Sequence, residues 1–395
     1  MQIVSKKVEN SIAGSSMIRK MFEAAIELRV KYGAENVHDF SLGNPDLPAP
    51  PNTVKELNKL AENASKPMAF GYCPNAGLPS VRQALATHIS KEQSTQVEGK
   101  HVIVTSGAAG ALNAFFRAVI EPGDEVICPA PYFVEYGAYV DNFGGVLKTV
   151  PMLPPVFDLD PEALMSAVTD KTRVVLINTP NNPTGVIYSQ KSLATLGKLL
   201  ADVNKGREKP VFLLSDEPYR TLCYNAEDVS PIMPLSEFSV IVGSFSKSLA
   251  LAGERIGYIA VNPAMPKSDV FLAAITMTNR ILGFVNAPII GQRLVEALIN
   301  ESVDVAIYKA RRDAMAQILT SVGLEFSMPQ GAFYFFVKAP GGDDKAFVSH
   351  LLTENILAVP GSGFGFAGYF RLTFCVEESA IRRAQPAFER AMKHK

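Results

Sequence analysis

The sequence predicts an α/β fold in which a large domain, with a mostly parallel sheet flanked by helices, is joined to a smaller α+β domain. Three observations lead to this prediction. In the middle of the chain, short apolar runs rich in β-branched residues alternate with longer segments of helical period. The runs show no alternation of polar and apolar residues, which is typical of strands buried on both faces of a parallel sheet. The length of 395 residues allows two to three domains at roughly 150 residues each.

Six of these runs are predicted to be the strands of the large domain. They cover residues 101–106, 124–129, 173–178, 211–216, 239–244 and 255–261. A helix is predicted over residues 109–120, where Leu112, Phe115 and Val119 recur at three- and four-residue spacing. Strand–helix–strand units of this length predict a doubly wound domain, which we place at residues 48–285.

The smaller domain is predicted to form from both parts of the chain that flank the large one, residues 1–47 and 286–395. Strands are predicted at 332–337, 356–361 and 369–374, and helices at about 343–353 and 377–393. The second of these helices places Ile381, Ala384, Phe388 and Met392 on one face. A helix at about 16–32 is expected to pack on this domain, because the proline-rich segment 42–51 is typical of a crossing between domains.

The overall charge and hydropathy disfavour several classes of function. Lys and Arg number 38 and Asp and Glu number 39, so the formal charge is −1, and no basic run of the kind that binds nucleic acid is present. No apolar stretch approaches the roughly 18 residues that a transmembrane helix needs. The segment 1–16 carries charges but no apolar core, so it does not resemble a secretory signal.

The four cysteines and five histidines give no sign of a disulfide framework or a metal site. The cysteines are far apart, and the histidines form no pair at metal-ligand spacing. We therefore expect a soluble, cytoplasmic protein that binds no metal, no nucleic acid and no membrane.

Small, polar or charged residues follow four of the predicted strands. These segments are 106–110, 178–185, 216–220 and 244–248. Ligands of open α/β sheets bind outside the carboxyl ends of the strands, so the four segments should converge on one site.

The residue types in these segments match the needs of pyridoxal 5′-phosphate. The turn with Gly107 and Ala108 places backbone N–H groups at a helix N-terminus, which favours an anion such as phosphate. The cation Arg255 follows Lys247 by eight residues. Lys247, at the end of a buried strand, should be partly desolvated and therefore nucleophilic toward a carbonyl. With Asp216 as an acid for the pyridine nitrogen, the segments would meet the three requirements of this cofactor.

A literal G-x-G-x-x-G motif at residues 363–368 is not interpreted as a dinucleotide site. The motif precedes the predicted strand 369–374 instead of opening a helix, and little chain follows in which a ribose-binding acid could lie. A glycine-rich loop between two strands is the favoured interpretation.

With these residues in place, the sequence resembles the class I/II aminotransferases, which are pyridoxal-phosphate enzymes of fold type I in the aspartate aminotransferase superfamily. The most specific motifs are N-N-P-T-G at 181–185, S-D-E-P-Y at 215–219, and S-F-S-K-S followed by E-R-I-G within 244–257. They occur in the order and spacing of the family, and the resemblance extends from residue 43 to the final predicted helix. It implies the fold type I architecture and a two-stage transfer of an amino group between an L-amino acid and a 2-oxo acid.

The resemblance implies a role for each group that would surround the cofactor ring. Lys247 is expected to form the Schiff base and to move a proton between the substrate Cα and the cofactor. Asp216 is expected to pair with the pyridinium nitrogen, so that the protonated ring accepts electrons from the carbanion. Tyr219 and Asn182 are expected to hydrogen-bond the phenolic oxygen, and Tyr132 is expected to stack on the ring.

The resemblance also assigns the phosphate and substrate contacts. Tyr72 resembles a tyrosine that family members donate to the phosphate of the neighbouring subunit, which implies a homodimer with composite sites. Arg371 resembles the arginine that binds the substrate α-carboxylate, and it projects from strand 369–374 on the side opposite its apolar residues. Gly43 and Asn182 are the other expected substrate contacts. The expected phosphate ligands within the chain are Gly107, Ala108, Ser244, Ser246 and Arg255.

The sequence leaves the substrates open. Some aspartate-specific relatives recognise the distal carboxylate with a lysine at the position of Ala109, or with a second arginine for which Arg280 is a candidate. A solvated helix arginine is the favoured interpretation of Arg280. The aromatic residues of the smaller domain could equally suit an aromatic or apolar amino acid, but they are expected to be mostly core: Phe333, Tyr334, Phe335, Phe364 and Phe366. Two alternatives to transamination remain: a C–S β-lyase that diverts the same carbanion to β-elimination, and a non-catalytic regulator that senses the cofactor.

Overall fold

The computed structural model describes residues 2–13, 17–224 and 229–393, and the strands in these ranges form three sheets. The strands in chain order are β1 (His38–Asp39), β2 (Val102–Ser106), β3 (Glu125–Ala130), β4 (Val146–Pro151), β5 (Thr172–Asn178), β6 (Phe212–Asp216), β7 (Ser239–Ser244), β8 (Ile256–Val261), β9 (Tyr334–Lys338), β10 (Ile356–Leu357), β11 (Val359–Pro360) and β12 (Tyr369–Thr373). The helices in chain order are α1 (Lys6–Ala13), α2 (Met17–Tyr32), α3 (Asn52–Glu62), α4 (Pro79–Glu92), α5 (Gly107–Val119), α6 (Glu135–Asp141), α7 (Pro161–Ser166), α8 (Gln190–Asn204), α9 (Ser268–Ile281), α10 (Ile289–Leu298), α11 (Val305–Ser321), α12 (Asp344–Thr353), α13 (Glu378–Arg383) and α14 (Gln385–Lys393).

The large sheet has seven strands in the described ranges, in the order β2-β8-β7-β6-β5-β3-β4. Neighbours from β7 to β4 pair in parallel, whereas β8 runs antiparallel to both β7 and β2. The predicted α/β fold with a mostly parallel sheet is therefore confirmed. Because β8 runs the opposite way, it begins at the edge of the sheet where its neighbours end.

The six predicted strands are all present in this sheet, with ends that differ from the prediction by no more than one residue. The sequence did not predict β4, which lies at the edge of the sheet beside β3. Val146 and Thr149 of β4 are exposed, and of its six residues Val150 alone is buried. An edge strand with this pattern has no continuous apolar run to mark it.

Buried apolar side chains cover both faces of the large sheet. Successive residues of each strand enter different clusters, as Val174 and Val175 of β5 do. The helix α5 packs on one face through Leu112, Phe115 and Val119, which is the stripe that its spacing predicts. It begins at Gly107, two residues earlier than predicted.

A second unit contains the antiparallel sheet β11-β12-β9 and the parallel pair β1-β10. Its apolar cluster joins Phe40 from the first part of the chain to Leu357, Phe370 and Phe388 from the last part. The helix α2 contributes Ala25 to this cluster. The predicted helix 16–32 corresponds to α2, and residue 16 lies outside the described ranges.

Two predicted elements of the second unit are divided in the structure. The predicted helix 377–393 consists of α13 and α14, and Pro386 is the second residue of α14. Proline has no N–H and its ring would clash with the carbonyl four residues earlier, so a continuous helix through this position is disfavoured. The predicted strand 356–361 consists of β10 and β11, which pair with β1 and β12 respectively.

The domain boundaries at 47/48 and 285/286 stay a prediction. Leu294, Val295 and Leu298 of α10 belong to an apolar cluster of the large sheet, although they follow residue 285.

In the described ranges, no helix is both long and apolar enough to cross a bilayer, and no group of three or more His, Cys, Asp or Glu side chains is placed to hold a metal ion.

Candidate active site

A cavity of about 390 Å³ lies at the edge of the large sheet where most of its strands end. One wall comes from the segments that follow the strands and from α5 and α6, and the facing wall comes from Leu42, Gly43, Tyr334 and Arg371. The sequence-predicted residues that line this cavity are Gly43, Ala108, Asn182, Asp216, Tyr219, Ser244, Ser246, Lys247, Arg255 and Arg371. The structure therefore brings together side chains from segments that are far apart in the chain.

The antiparallel course of β8 explains how Arg255 reaches the cavity. Asp216 and Ser244 are the last residues of β6 and β7, whereas Arg255 immediately precedes β8. Since β7 and β8 are antiparallel, Ser244 lies opposite Gly257 and the start of β8 is at the cavity edge. Arg255 adopts a left-handed backbone conformation with φ of 52° at this turn.

The N-terminus of α5 forms a backbone cradle beside Arg255. Gly107 has φ of +70°, and a Cβ at this position would lie 2.7 Å from Nη2 of Arg255. A Cβ at Gly257 of β8 would lie 2.5 Å from the carbonyl carbon of Gly107, so both glycines are required for this close approach. Ser244 and Ser246 are buried and line the same cavity. Free N–H groups at a helix N-terminus, together with a guanidinium, favour an anion.

Asp216 is a buried carboxylate with one paired and one unpaired oxygen. Its Oδ2 accepts a hydrogen bond of 2.6 Å from the Tyr136 hydroxyl, whereas Oδ1 has no hydrogen-bond partner in the described part of the chain. Burial raises the pKa of Asp216 to about 7, the hydrogen bond from Tyr136 lowers it, and the charge of Glu217 raises it again. A cationic donor at Oδ1 would stabilise the ionised form of this carboxyl.

Lys247 enters the cavity from the segment that follows β7. Its Nζ donates a hydrogen bond of 3.0 Å to the carbonyl oxygen of Gly43. Burial lowers the pKa of Lys247 to about 8, and the charges of Arg371 and Arg255 add to this effect. At this pKa about a tenth of the lysine is unprotonated at pH 7, and the unprotonated amine is the form that attacks a carbonyl.

Arg371 of β12 is 2% exposed and has no carboxylate partner among the described residues. Its Nη1 donates to Oδ1 of Asn182 at 3.1 Å and its Nη2 donates to the carbonyl oxygen of Ser41 at 2.5 Å, while Nε has no partner there. The guanidinium lies 4.6 Å from the ring centre of Tyr334 and 4.8 Å from that of Phe364. A buried guanidinium without a counter-charge is a favourable receptor for a carboxylate.

Tyr219 and Asn182 present neutral polar groups to the cavity. The hydroxyl of Tyr219 lies 2.8 Å from that of Tyr334, and burial, together with Tyr334, raises the pKa of Tyr219 well above 10. Tyr219 therefore keeps its proton and can donate a hydrogen bond. Asn182 precedes a cis peptide bond to Pro183, and its backbone N–H donates to Oδ1 of Asn178 at 2.8 Å.

Tyr132, the predicted ring-stacking aromatic, lies apart from the other predicted contacts of the cofactor ring. Tyr132 does not line the cavity, and its backbone N–H donates to the carbonyl oxygen of Phe364. Its ring lies so close to Gly365 that a Cβ there would be 2.5 Å from Cε1 of Tyr132. The next residue, Phe133, does line the cavity and takes its place as the candidate.

Two further residues lie away from the cavity. Tyr72 is 87% exposed and lines a separate surface depression with Phe70, Phe284 and Val285. Its predicted contact with a phosphate therefore requires a second subunit. Arg280, in the last turn of α9, is exposed and does not line the cavity.

Sequence reasoning missed several residues that line the cavity, among them Tyr136 and Tyr334. Phe133 lies in the turn before α6 and Tyr136 in its first turn, and the backbone N–H of Tyr136 donates to the carbonyl oxygen of Phe133. Tyr334 is buried and belongs to the apolar cluster of the second unit, as expected, and it also lines the cavity.

Comparison with known proteins finds relatives over nearly the whole chain. The family model described as aminotransferase class I and II matches residues 35–388. A probable aspartate/prephenate aminotransferase of Thermus aquaticus is 34% identical, with 93% of this chain and 94% of the relative covered. The aspartate aminotransferase of Thermotoga maritima is 31% identical, with 93% of each chain covered.

Solved structures give the same result. A crystal structure of an aminotransferase from Eubacterium rectale superposes with a TM-score of 0.95 at 35% identity and covers 100% of this chain and 99% of its own. The aspartate aminotransferase of Thermus thermophilus with maleate superposes with a TM-score of 0.86 at 30% identity and covers 99% of this chain and 100% of its own. The likeness therefore includes both the large sheet and the second unit.

Proposed function

This chain belongs to the class I and II aminotransferases, and from that premise we propose how its own residues carry out transamination between an L-amino acid and a 2-oxo acid. The chain is a transaminase of the aspartate-aminotransferase-like kind, and its family implies pyridoxal 5′-phosphate as the cofactor. The residue roles, the contacts to the cofactor and the assembly of subunits are the parts that we propose.

One observation carries the proposal: three buried ionisable groups, none of them in an ion pair within the described residues, converge on one cavity. The unpaired Oδ1 of Asp216 suits a protonated ring nitrogen. Lys247, whose pKa is lowered to about 8 by burial, suits an aldehyde. The unpaired Nε of Arg371 suits a carboxylate. The cofactor would supply the protonated ring nitrogen and the aldehyde, and an amino acid would supply the carboxylate.

The remaining residues would hold the cofactor in place. Gly107, Ala108, Ser244, Ser246 and Arg255 would bind its phosphate at the start of α5. Phe133 would stack on its ring, and Tyr219 and Asn182 would donate hydrogen bonds to its phenolic oxygen. When bound, pyridoxal 5′-phosphate supplies an aldehyde that condenses with amines and a ring that takes up the electrons of the breaking Cα–H bond.

In this proposal, Arg371 binds the substrate α-carboxylate and orients Cα–H toward Lys247. The Nζ of Lys247 would take the proton from the substrate Cα and pass it to the bound cofactor, and would carry it back in the second half of the reaction. Asp216 remains ionised beside the ring nitrogen, which keeps that nitrogen protonated. Gly43 accepts a hydrogen bond from Nζ through its carbonyl oxygen while the lysine is free.

The assembly that we propose is a homodimer in which Tyr72 of each subunit contacts the phosphate in the other. Its exposure within one chain supports this role. A cytoplasmic location remains a prediction from composition.

The Lys247→Ala variant tests the proposed function. We expect the wild type to acquire a visible absorbance band on addition of pyridoxal 5′-phosphate and to lose it on addition of a reactive amino acid in a screen of the twenty. Lys247→Ala should neither acquire the wild-type band nor react, while Lys171→Ala, at an exposed lysine, should behave like the wild type.

Three outcomes would contradict the proposal in different ways. A wild type without the band would exclude the cofactor. A band that no amino acid alters would exclude transamination. Pyruvate and ammonia released from cysteine without any oxo acid would indicate the β-lyase instead.

A further inference from the structure

Tyr334 lines the cavity, yet the proposed function gives it no role. Its side chain is 2% exposed. In the antiparallel pair of β9 and β12, Phe336 lies opposite Arg371, and Tyr334 follows two residues away on the same face. Such diagonal neighbours are within reach of aromatic and long side chains, and the guanidinium of Arg371 lies 4.6 Å from the ring centre of Tyr334. The ring of Tyr334 is therefore fixed beside the proposed carboxylate receptor.

The hydroxyl of Tyr334 has one hydrogen-bond partner among the described residues, the hydroxyl of Tyr219 at 2.8 Å. Gly43 confines this hydroxyl from another side, because a Cβ at Gly43 would overlap it. In a pair of hydroxyls, one donates its proton and the other accepts. If Tyr219 donates, its proton is used within the pair. If Tyr334 donates, the proton of Tyr219 remains available for a group in the cavity.

The charged and titratable groups around the two hydroxyls come from three elements. They are Arg371 of β12 and Cys375 just after it, Asp216 of β6, and Lys247 after β7. Burial raises the pKa of Tyr334, and the charge of Arg371 acts against this increase, which strengthens the hydroxyl as a donor. Burial raises the pKa of the Cys375 thiol to about 12, so this thiol is neutral at pH 7.

We propose that Tyr334 is a positioning residue that orients the proton of Tyr219, an inference that rests on the proposed transaminase function. Tyr334 donates to the oxygen of Tyr219, and Tyr219 then donates its own proton to the phenolic oxygen of the cofactor. Hydrogen bonds in such a chain strengthen one another. A stronger donor at the phenolic oxygen favours the form in which this oxygen is negative, so it lowers the pKa of the group that Lys247 and the cofactor form together.

A purely structural role for Tyr334 in its apolar cluster is the competing explanation. Tyr224 offers a matched control, because it is buried in the same cluster, its hydroxyl donates to the carbonyl oxygen of Ala332, and it does not line the cavity. A structural role predicts that Tyr334→Phe and Tyr224→Phe both lower the resistance to urea. It also predicts that neither variant alters the protonation of the bound cofactor.

The test is a pH titration of the visible absorbance band of the holoenzyme, without substrate. Tyr334→Phe removes one hydroxyl and keeps the ring and every charge of the site. We expect it to raise the pH midpoint of the band by about half a unit, a threefold change in the protonation equilibrium. Tyr224→Phe should titrate as the wild type does. An unchanged or lower midpoint in Tyr334→Phe would overturn the inference.

The route through Tyr219 is tested by combining two variants. Tyr219→Phe should raise the midpoint further than Tyr334→Phe does, because it removes the direct donor. When Tyr334→Phe is added to Tyr219→Phe, no further change is expected, since the hydroxyl that Tyr334 orients is gone. Equal shifts from Tyr334→Phe in both backgrounds would show that Tyr334 acts by another route, and the inference would be wrong.

Incorporation of 3-fluorotyrosine at position 334 provides a variant that retains the hydroxyl, for use if Tyr334→Phe does not fold. Fluorine withdraws electrons and makes the phenol a stronger donor, so the midpoint should move below that of the wild type. A midpoint at or above the wild-type value would contradict the inference. A wild type that acquires no visible band would instead refute the proposed function, so the two failures are distinguishable.

Discussion

Asp216, Lys247 and Arg371 share an energetic property: each is a charged group in a place where charge is unfavourable. Burial raises the pKa of Asp216 to about 7 and lowers that of Lys247 to about 8, and both shifts favour the neutral forms. Arg371 stays buried with an unpaired Nε. Single residues at such sites reduce the stability of the empty protein and gain partners when ligands bind.

The variant Asp216→Asn should therefore stabilise the protein without its cofactor. Because folding raises this pKa from 3.8 to about 7, the folded state holds its proton more tightly, and wild-type stability should fall as the pH rises through this window. At pH 8 the variant should have a larger free energy of unfolding by up to about 4 kcal/mol, and the difference should vanish near pH 4. Urea denaturation of the cofactor-free proteins measures this difference.

Asp269→Asn, at an exposed aspartate, is the control and should show no such pH-dependent difference. A constant offset between wild type and Asp216→Asn over the whole pH range would contradict the assignment to ionisation. With the cofactor bound, the order of stability should reverse, since the variant lacks the carboxylate that pairs with the ring nitrogen.

Sequence motifs predicted the site residues whose role only one kind of side chain can fill. Lys247, Asp216 and Arg371 were identified because a lysine, an acid and an arginine occur at recognisable positions, and the structure places all three at one cavity. The choice between Tyr132 and Phe133 could not be made in this way, because two adjacent aromatics differ only in the direction of their side chains. The direction of each side chain depends on the backbone conformation just before α6, and the residue types alone do not determine that conformation.

Among the elements, the junction of β8 with α5 is the one on which the anion cradle depends. Gly257 brings the backbone of β8 so close to Gly107 that no side chain can stand between them. The contact fixes the start of α5 against the turn that carries Arg255. A displacement of β8 would therefore separate the helix N-terminus from the guanidinium.

The variant Gly257→Ala should weaken cofactor binding selectively. Its Cβ would lie 2.5 Å from the backbone of Gly107, so β8 and α5 must move apart. We expect the dissociation constant of pyridoxal 5′-phosphate to rise at least about tenfold and the protein to lose about 1–3 kcal/mol of stability. Titration of cofactor absorbance and urea denaturation measure the two effects.

Gly253→Ala is the matched control, because Gly253 lies four residues away and a Cβ there meets nothing within 4 Å. This variant should bind the cofactor as the wild type does. Equal affinities for all three proteins would show that the junction of β8 with α5 does not position the phosphate site.

The sequence predicted the strands that are buried on both faces. It did not predict the edge strand β4 or the division between β10 and β11. The strands buried on both faces carry continuous apolar runs, so their ends were placed to within one residue. The edge strand β4 is mostly exposed or half-buried, and its sequence carries no continuous apolar run. The division of β10 from β11 depends on pairing with strands that are distant in sequence, which no local pattern reports.

On the scale of the whole molecule, the position of Tyr72 bears on whether the active site is completed by one chain or by two. Its side chain is 87% exposed and does not line the cavity of its own chain. The resemblance assigns it to the phosphate of a neighbouring subunit. A composite site has a consequence that a self-contained site lacks, because two inactive chains can then complement each other.

Mixed dimers of Tyr72→Ala and Lys247→Ala chains should recover activity. Each mixed dimer would contain one site with an intact Lys247 from one chain and an intact Tyr72 from the other. Random pairing at equal amounts predicts about one quarter of the wild-type activity, since half of the dimers are mixed and one of their two sites is complete. Co-expression with two affinity tags and an amino-transfer assay measures it.

The control pairs Lys247→Ala with Arg255→Ala. Arg255 lines the cavity of its own chain, so no mixed dimer of these variants contains a complete site. This mixture should stay near the activity of its components. Recovery in the control, or its absence in the first mixture, would contradict a site shared through Tyr72.

The pairing of β1 with β10 also sets the order in which the site can be completed during synthesis. Phe40 donates its backbone N–H to Leu357 and accepts one from Thr373, so the neighbouring Ser41 and Gly43 are anchored only after these two distant residues have left the ribosome. The strand β6, which ends at Asp216, and the strand β7, which Lys247 follows by three residues, are made long before. A nascent chain would thus present a nearly finished lysine pocket with one wall missing, and the last segment to emerge would close it.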